Sequence, residues 1–193
     1  MELFFDVETS GFHKNGIEPD NLSQAWIVQL AFILSDDKKI YHEASVLFQP
    51  PDVSSTIHPA AQRTHGISLD QCRDYGIYED LFFDYFTVVH TQADVLVCHN
   101  WNFDKNFVHD MICRCDCRQE AMVFLNRAWV CTMLASTNYC QLPGKYHGKF
   151  KWPKLEELHL ILFNEDFEGA HDALADVRAT RRCYYELVRR GVI

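Results

Sequence analysis

Features that mark several other classes of protein are scarce in this chain of 193 residues. It holds only 8 Gly and 6 Pro while 48% of its residues are hydrophobic, a composition that excludes collagen-like and disordered chains. The longest apolar stretch, from Ala25 to Leu34, is interrupted by Gln29. A membrane-spanning helix needs about 20 apolar residues. We therefore expect a single globular domain over residues 1–193 that does not associate with membranes.

A secretory signal is also missing from the N-terminus. The chain begins MELFFDVETSG, with Glu2 and Asp6 where a signal peptide has basic residues and then an uninterrupted apolar run. A domain of this length needs no disulfide scaffold, so its 8 cysteines fit a reducing compartment as free thiols. The spacing of Cys113, Cys115 and Cys117 differs from the C-x2-C half-sites of structural zinc. We expect a cytoplasmic protein without a structural metal.

Positive charge is scarce as well, with 18 Lys and Arg against 27 Asp and Glu and a formal net charge of -9. A chain of this sign cannot coat duplex nucleic acid through its phosphates. Any contact with nucleic acid must therefore be local. Carboxylates can still approach a phosphodiester when divalent cations lie between them.

The hydrophobic pattern predicts alternating strands and helices. Strands are predicted at 2–8, 25–34, 40–48, 95–98 and 128–132, and helices at 58–65, 78–90, from 101 onward, 154–163 and 172–190, with a loop at 143–152. The first three strands can pair through hairpins, whereas the later ones need crossover helices. The predicted fold class is therefore α/β, a three-layer arrangement with a mixed five-stranded sheet between helices on both faces.

Asp6 and Glu8 lie two residues apart at the C-terminal end of the first predicted strand. They share one face of the strand, and Leu3, Phe5 and Val7 share the other. Open α/β sheets bind their ligands at this end of the strands. Taken alone, the pair is better explained as a solvated strand end.

Asp104 belongs to the apolar stripe of its predicted helix, because it lies three and four residues before Phe107 and Val108. Burying an unpaired carboxylate costs several kcal/mol, so this residue needs a cation, a network of donors or a cleft. The alternative is an acid in the first turn that interacts with the helix dipole.

Asp176 lies in the first turns of the last predicted helix, and His171 stands immediately before that helix. Asp172 is expected to cap it. Five residues separate His171 from Asp176, which would place them on different helix faces, so we assign His171 to the preceding loop. A single His is more often an ordinary surface or core residue than a functional one.

Considered together, the acids lie at strand or helix ends that a three-layer fold could bring to one edge of the sheet. Bare carboxylates cannot share a site. Two divalent cations about 3.5 to 4 Å apart would neutralise them and clamp a scissile phosphate, while a nearby His removes a proton from the attacking water. The acids are Asp6, Glu8, Asp104 and Asp176, and the base is His171. This arrangement is that of a two-metal phosphodiesterase.

The segments that hold these residues resemble those of the DEDDh branch of the DEDD 3′-to-5′ exonucleases, the family that includes the proofreading subunit of bacterial replicative polymerases. The segments are FDVETSG at 5–11, HNWNFDKNF at 99–107 and HDALADVRAT at 171–180, with HGI at 65–67, CTM at 131–133 and KLEEL at 154–158. The resemblance implies a ribonuclease H-like fold, two Mg²⁺ or Mn²⁺ ions held by the four acids, and His171 as general base. It also implies release of 5′-mononucleotides from nucleic-acid 3′ ends, with single-stranded DNA as the expected substrate.

Contacts to the substrate are implied by the same resemblance. The main chain near Thr9 would meet the terminal 3′-hydroxyl, Phe12 would wedge beside the last bases, and Ile67 would lie against the terminal base. An exposed Phe12 suits stacking on any base, but a role as a core anchor stays equally open.

The segment KYHGKFKWPK at 145–154 is the only concentrated basic and aromatic patch of the chain. It interleaves Lys145, Lys149, Lys151 and Lys154 with Tyr146, Phe150 and Trp152. We predict that Lys149 and Lys151 contact phosphates of single-stranded substrate and that Trp152 stacks on its bases. A solvated loop is the alternative.

All five chemical positions hold residues that are competent for the reaction, which favours an active enzyme. The alternatives are an exoribonuclease and a nucleic-acid-binding accessory module without activity. The last predicted helix ends close to Ile193. We therefore expect a stand-alone trimming enzyme rather than a polymerase subunit that is anchored by a C-terminal tail. A polymerase partner that docks on the folded surface stays open as an alternative.

Overall fold

A computed structural model describes residues 1–146 and 149–193, and a mixed sheet lies at the centre of the fold. Its strands are β1 (Glu2–Thr9), β2 (Ile27–Ser35), β3 (Ile40–Leu47), β4 (Val95–Cys98) and β5 (Ala128–Cys131), in the order β3-β2-β1-β4-β5. The pairs β1–β2 and β2–β3 are antiparallel, whereas β1–β4 and β4–β5 are parallel. The predicted five-stranded mixed sheet is confirmed.

The helices include three that were not predicted. They are α1 (Pro59–His65), α2 (Leu69–Tyr75), α3 (Glu79–His90), α4 (Trp101–Arg114), α5 (Arg118–Asn126), α6 (Thr132–Cys140), α7 (Leu155–Phe163) and α8 (Ala173–Arg189). Of the missed helices, α2 is short but begins with a capping box between Ser68 and Gln71, a signal that was present in the sequence. Helix α6 begins immediately after β5 ends, so no turn residues mark its start in the sequence.

The larger apolar core lies on one face of the sheet. Leu3, Phe5 and Val7 of β1 point to this face and pack in one cluster with Phe107 of α4 and Phe124 of α5. These side chains are buried, and each contributes about 1.5 to 3 kcal/mol relative to an exposed position. The prediction that Leu3, Phe5 and Val7 share one face of β1 is therefore confirmed.

The opposite face of the sheet is covered by α8. Phe4 packs there with Ala173, Val177 and Tyr184, and its ring centroid lies 5.4 Å from that of Tyr184. Because side chains alternate along a strand, Asp6 and Glu8 lie on the same face as Phe4. Helix α8 therefore covers the face of β1 that carries its acidic residues.

Two further features concern the cysteines and the helix lengths. All eight cysteines are free thiols, including Cys113, Cys115 and Cys117. Among the helices of residues 1–146 and 149–193, none combines the length and apolar character that crossing a membrane requires.

Candidate active site

A cleft of about 510 Å³ opens at the carboxyl end of β1. The five residues predicted to carry the chemistry all line it; they are Asp6, Glu8, Asp104, His171 and Asp176. They come from three separate parts of the chain, and we call the cavity that they line the acidic cleft. The structure thus brings together the whole predicted catalytic set.

Asp104 reaches the acidic cleft from the first turn of α4. The backbone of Asn100 adopts φ 113°, a left-handed conformation that turns the chain sharply from β4 into α4. Asp104 is only 2% exposed, and within residues 1–146 and 149–193 no hydrogen-bond partner reaches its buried Oδ2 atom. The predicted burial is confirmed, and an unpartnered buried carboxylate oxygen indicates that a cation or another donor belongs beside it.

Asp176 and His171 reach the cleft from the beginning of α8. Asp172 caps this helix, since its Oδ1 accepts a hydrogen bond from Ala175 N–H at 3.0 Å. The main-chain N–H of His171 donates to Asp176 Oδ2 at 3.1 Å. His171 itself lies outside the helix at φ 70°, and its side chain is half-exposed, as expected for a residue of the preceding loop.

The donor atoms in the cleft lie close enough to share a cation. Glu8, His171 and Asp176 each present one ligand atom, and these atoms all lie within 4.8 Å of one another. The set consists mainly of carboxylate oxygens, which suit Mg²⁺ and Mn²⁺ better than zinc. The residues present therefore fit a divalent cation.

Electrostatics in the acidic cleft disfavour bare carboxylates. Burial raises the pKa of Glu8 to about 8, and the charges of Asp176 and Asp104 add to the rise. Burial also raises the pKa of Asp104 to about 8 and that of Asp176 to about 6. Loss of solvent, followed by the charges of Asp104 and Asp176, raises the pKa of Asp6 well above its ordinary value. Without a cation, these groups therefore retain protons well above the usual range for carboxyl groups.

Glu156 at the start of α7 is a member of the site that sequence reasoning missed. It lines the cleft, and its Oε1 lies 3.8 Å from His171 Nε2. It belongs to the KLEEL segment. Its position depends on the packing of Leu158 against Cys183 of α8, a contact that no local pattern reveals.

His99 supports the wall of the cleft. Its Nε2 lies 3.0 Å from the carbonyl oxygen of Pro153 and its Nδ1 lies 2.9 Å from Thr132 Oγ1. Because a carbonyl only accepts, Nε2 carries the proton and Nδ1 accepts from the hydroxyl. Burial lowers the pKa of His99 to about 4, which keeps the ring neutral. The segment before α7 is thereby joined to the end of β4.

A second pocket of about 290 Å³ adjoins the acidic cleft and shares Glu8, Thr64 and Phe103 with it. Thr9 and Phe12 line this pocket. Phe12 is 84% exposed, so the alternative that it anchors the core is wrong. Phe103 was not predicted, although its place one residue before Asp104 could have indicated it.

Ile67 packs with the small apolar cluster of Trp26, Val28 and Cys72 and is not among the described residues that line these two pockets. Its contact with the terminal base stays a prediction.

The Lys and aromatic segment contributes unevenly to the cleft. Trp152 and Lys154 line it, and Trp152 is largely exposed. Lys151 forms an ion pair with Glu157, and Lys149 is exposed outside the two pockets. His147 and Gly148, which fall within the predicted substrate-binding segment, lie outside the described residues.

The mixed sheet with helices on both its faces is a ribonuclease H-like fold, and the acidic cleft lies at the end of its strand β1. The chain belongs to the RNase_T family, whose model is described as an exonuclease and matches residues 3–184. The resemblance to the DEDDh exonucleases is confirmed, and this protein is an exonuclease.

A relative of similar length is the uncharacterized exonuclease CP81 of Escherichia phage 186. The two proteins are 25% identical over an alignment 193 residues long, and the alignment covers 98% of this chain and 89% of the phage protein.

Solved structures with the same fold include exonuclease I of E. coli in complex with a dT13 oligonucleotide. That structure has a TM-score of 0.74 and 21% identity, over 97% of this chain and 40% of the exonuclease I chain. A zinc-bound form of the E. coli exonuclease I–ssDNA complex gives a TM-score of 0.72 at 21% identity, over 98% of this chain and 40% of that chain. This chain therefore spans well under half of exonuclease I.

Proposed function

We propose that the protein is a 3′-to-5′ exonuclease that uses two Mg²⁺ or Mn²⁺ ions to release 5′-mononucleotides from single-stranded DNA, and that residues 1–193 form one exonuclease domain. The observation that carries this proposal is the convergence of Asp6, Glu8, Asp104, Asp176 and His171 on the acidic cleft. Membership of an exonuclease family supports the reaction class. The oligonucleotide and ssDNA complexes of exonuclease I support the choice of single-stranded DNA.

The four acids would hold the cations, which when bound neutralise charge on the phosphate and lower the pKa of a water molecule. The chain's own contribution is the placement of these ligands. Asp6 and Glu8 are carried by a central strand and Asp104 and Asp176 by the first turns of two helices, so rigid elements hold all four. Their raised pKa values favour exchange of protons for cations as the pH rises through neutrality.

His171 would act as the general base. A neutral ring can accept the proton of the attacking water, and the Glu156 carboxylate 3.8 Å from Nε2 would stabilise the imidazolium that forms. The loop position leaves the half-exposed ring able to adjust to the substrate, while its main-chain contact with Asp176 keeps it beside the cleft.

The second pocket would receive the nucleoside at the 3′ end. Phe12 offers an exposed ring on which any base can stack, and Phe103 forms part of the wall shared with the acidic cleft. The main chain near Thr9 would meet the terminal 3′-hydroxyl. Trp152 and the lysines at 149 and 151 would contact the strand farther from its end.

Oligonucleotides labelled at either end provide the direct test. With Mg²⁺ or Mn²⁺, a 5′-labelled strand should shorten progressively, whereas a 3′-labelled strand should release its label at once as a 5′-mononucleotide. A chelator, Asp6→Ala and His171→Ala should each suppress both results, while Asp37→Asn in an exposed turn should not. Early release of a 5′ label would contradict the proposed direction.

Matched DNA and RNA strands, free and paired, separate the remaining alternatives. Faster digestion of single-stranded DNA is expected. Preference for RNA would instead assign the protein as an exoribonuclease.

The proposed role of the lysine segment has its own test. Replacing Lys145, Lys149, Lys151 and Lys154 with Gln should raise KM and flatten its dependence on salt. Binding then involves fewer phosphate contacts and so releases fewer counterions from the nucleic acid. An unchanged salt slope would contradict the role.

A further inference from the structure

Gln29 interrupts a strand that is otherwise a run of apolar residues up to its last position. Every residue of β2 is buried, and Gln29 is only 8% exposed. Burying an amide is unfavourable unless its polar atoms find partners. Its partners therefore indicate what the residue does.

The amide of Gln29 binds the first residues of α8. Nε2 donates to Asp172 Oδ2 at 3.2 Å and to Ser45 Oγ at 3.0 Å, and Oε1 accepts from Ala173 N–H at 3.3 Å. Because a carboxylate only accepts and a main-chain N–H only donates, these two partners fix the orientation of the amide.

The position of Gln29 relates this contact to the acidic cleft. Gln29 is the cross-strand partner of Glu8, so the two side chains lie on the same face of the sheet. Asp172, held by Gln29, caps α8 through its other carboxylate oxygen. One turn later Asp176 points into the cleft and accepts the main-chain N–H of His171.

A second polar contact holds α8 to β2 farther along the helix. Arg181 Nε donates to Ser35 Oγ at 2.7 Å, and its Nη2 donates to the carbonyl of Asp36 at 2.8 Å. The apolar side chains at the start of the helix, Ala173 and Val177, pack against the sheet through contacts that have no directional requirement. Arg178 binds Glu43 of β3 on the exposed side of the helix, so among the described residues Gln29 provides the buried polar contact at the N-terminal turns.

We propose that Gln29 is a positioning residue, which holds the N-terminus of α8 at the height and rotation that direct Asp176 and His171 toward Asp6 and Glu8. This inference rests on the roles that the proposed function gives to Asp176 and His171. It predicts that loss of the amide lowers kcat more than it affects substrate binding, since a displacement of about 1 Å at a catalytic group can cost about 10²-fold in rate.

Gln29→Leu keeps the size of the side chain and removes both hydrogen bonds to α8. We expect kcat to fall by about 10- to 100-fold while KM changes by less than about 3-fold. Ser35→Ala is the matched control, because it removes a hydrogen bond between the same two elements at the far end of β2. It should lower Tm similarly and leave kcat unchanged. Equal loss of kcat in the two variants would reduce Gln29 to a structural residue and overturn the inference.

An exchange of donor and acceptor tests the hydrogen bond itself. In Gln29→Glu a carboxylate faces Asp172, so kcat should fall as in Gln29→Leu. Adding Asp172→Asn restores a donor opposite Glu at position 29, which still accepts from Ala173 N–H, and should recover much of the lost kcat. A double variant no more active than Gln29→Glu would overturn the inference.

Two further variants separate failure of this inference from failure of the proposed function. His171→Ala and Asp176→Asn should both lose activity. If either keeps full kcat, the proposed role of that residue fails and the inference fails with it. If both lose activity while Gln29→Leu keeps full kcat, only the positioning role of Gln29 is wrong.

Discussion

The two faces of the central sheet are built from different chemistry. On the face covered by α3, α4 and α5, Phe5, Phe86, Phe107 and Phe124 belong to one large apolar cluster. On the face covered by α8, the apolar cluster is smaller, and polar contacts from Gln29, Arg181 and Tyr185 join the layers. The acids of β1 lie on this second face.

This difference separates the source of stability from the site of chemistry. Buried apolar area on the α4 face stabilises the fold without a directional requirement. On the α8 face, burial raises the pKa of Glu8 and Asp6, so in the absence of a cation these residues oppose folding when ionised. Natural proteins commonly accept such local instability where function needs it.

The sharpest test of the comparison is Asp6→Asn. We expect activity to fall by about 10³-fold or more, because a ligand at the reacting centre is lost. The free energy of unfolding in chelator should rise, because a desolvated carboxylate is removed from among Asp104, Asp176 and Glu8. Asp37→Asn serves as the exposed control for both measurements. A stability loss in Asp6→Asn would contradict the assignment of instability to this face.

The pH dependence of stability in chelator tests the same point. The folded-state pKa of Glu8 is about 8, above its ordinary value of 4.5. The folded state therefore binds the proton more tightly, and this contribution to stability is full below about pH 4.5 and lost as the pH rises through 8. Wild type should lose more stability than Asp6→Asn between pH 5 and 8, as denaturant titrations at each pH would show. Parallel pH profiles would break the comparison.

Truncating a large side chain on the opposite face should lower the stability of the fold and leave the activity unchanged. Phe124 is fully buried, and its ring centroid lies 5.8 Å from Phe5 and 6.0 Å from Trp101. Phe124→Ala should lower the free energy of unfolding by about 3 to 5 kcal/mol, while kcat of the folded fraction stays near that of wild type. Val88→Ala, at an exposed position of α3, is the control. A selective loss of kcat would show that the two faces are not separable.

The smallest effect is expected for a polar contact on the α8 face away from the cleft. Tyr185 Oη donates to Glu2 Oε2 at 2.9 Å, and the ring packs beside Phe4. Tyr185→Phe keeps the ring and should cost about 0.5 to 1.5 kcal/mol in unfolding free energy, with kcat unchanged. A loss as large as that of Phe124→Ala would show that polar contacts stabilise this face more than the comparison allows.

Much of the fold could be predicted because strands can be identified from local sequence patterns. The alternation of residues along β1 is enough to separate Asp6 and Glu8 from Phe5 and Val7, and the two faces of the strand are as expected. The helices that were missed carry weaker signals. Helix α6 contains Thr132, Ser136 and Thr137, residues of modest helix propensity, and its formation depends on its surroundings.

The residues of the site likewise fall into two groups: those recognisable from the local sequence and those placed there by the packing of distant elements. Asp6, Glu8, Asp104, Asp176 and His171 were predicted because each lies at an element boundary or in a motif of recognisable spacing. Glu156 was missed because its place beside His171 depends on how α7 packs against α8. The packing of Ile67 with Trp26 and with Val28 of β2 was also not predicted, because these residues are distant from it in the sequence.

By itself, the sequence determined which residues have the chemistry of a nuclease and which faces of β1 they occupy, because residue type and alternation are local properties of the chain. The tertiary structure alone decided that Gln29 meets Asp172, a residue 143 positions away, and that α8 covers the acids of β1. Such contacts depend on the packing of whole elements, whose free energy is shared among many side chains and is not encoded in any short segment.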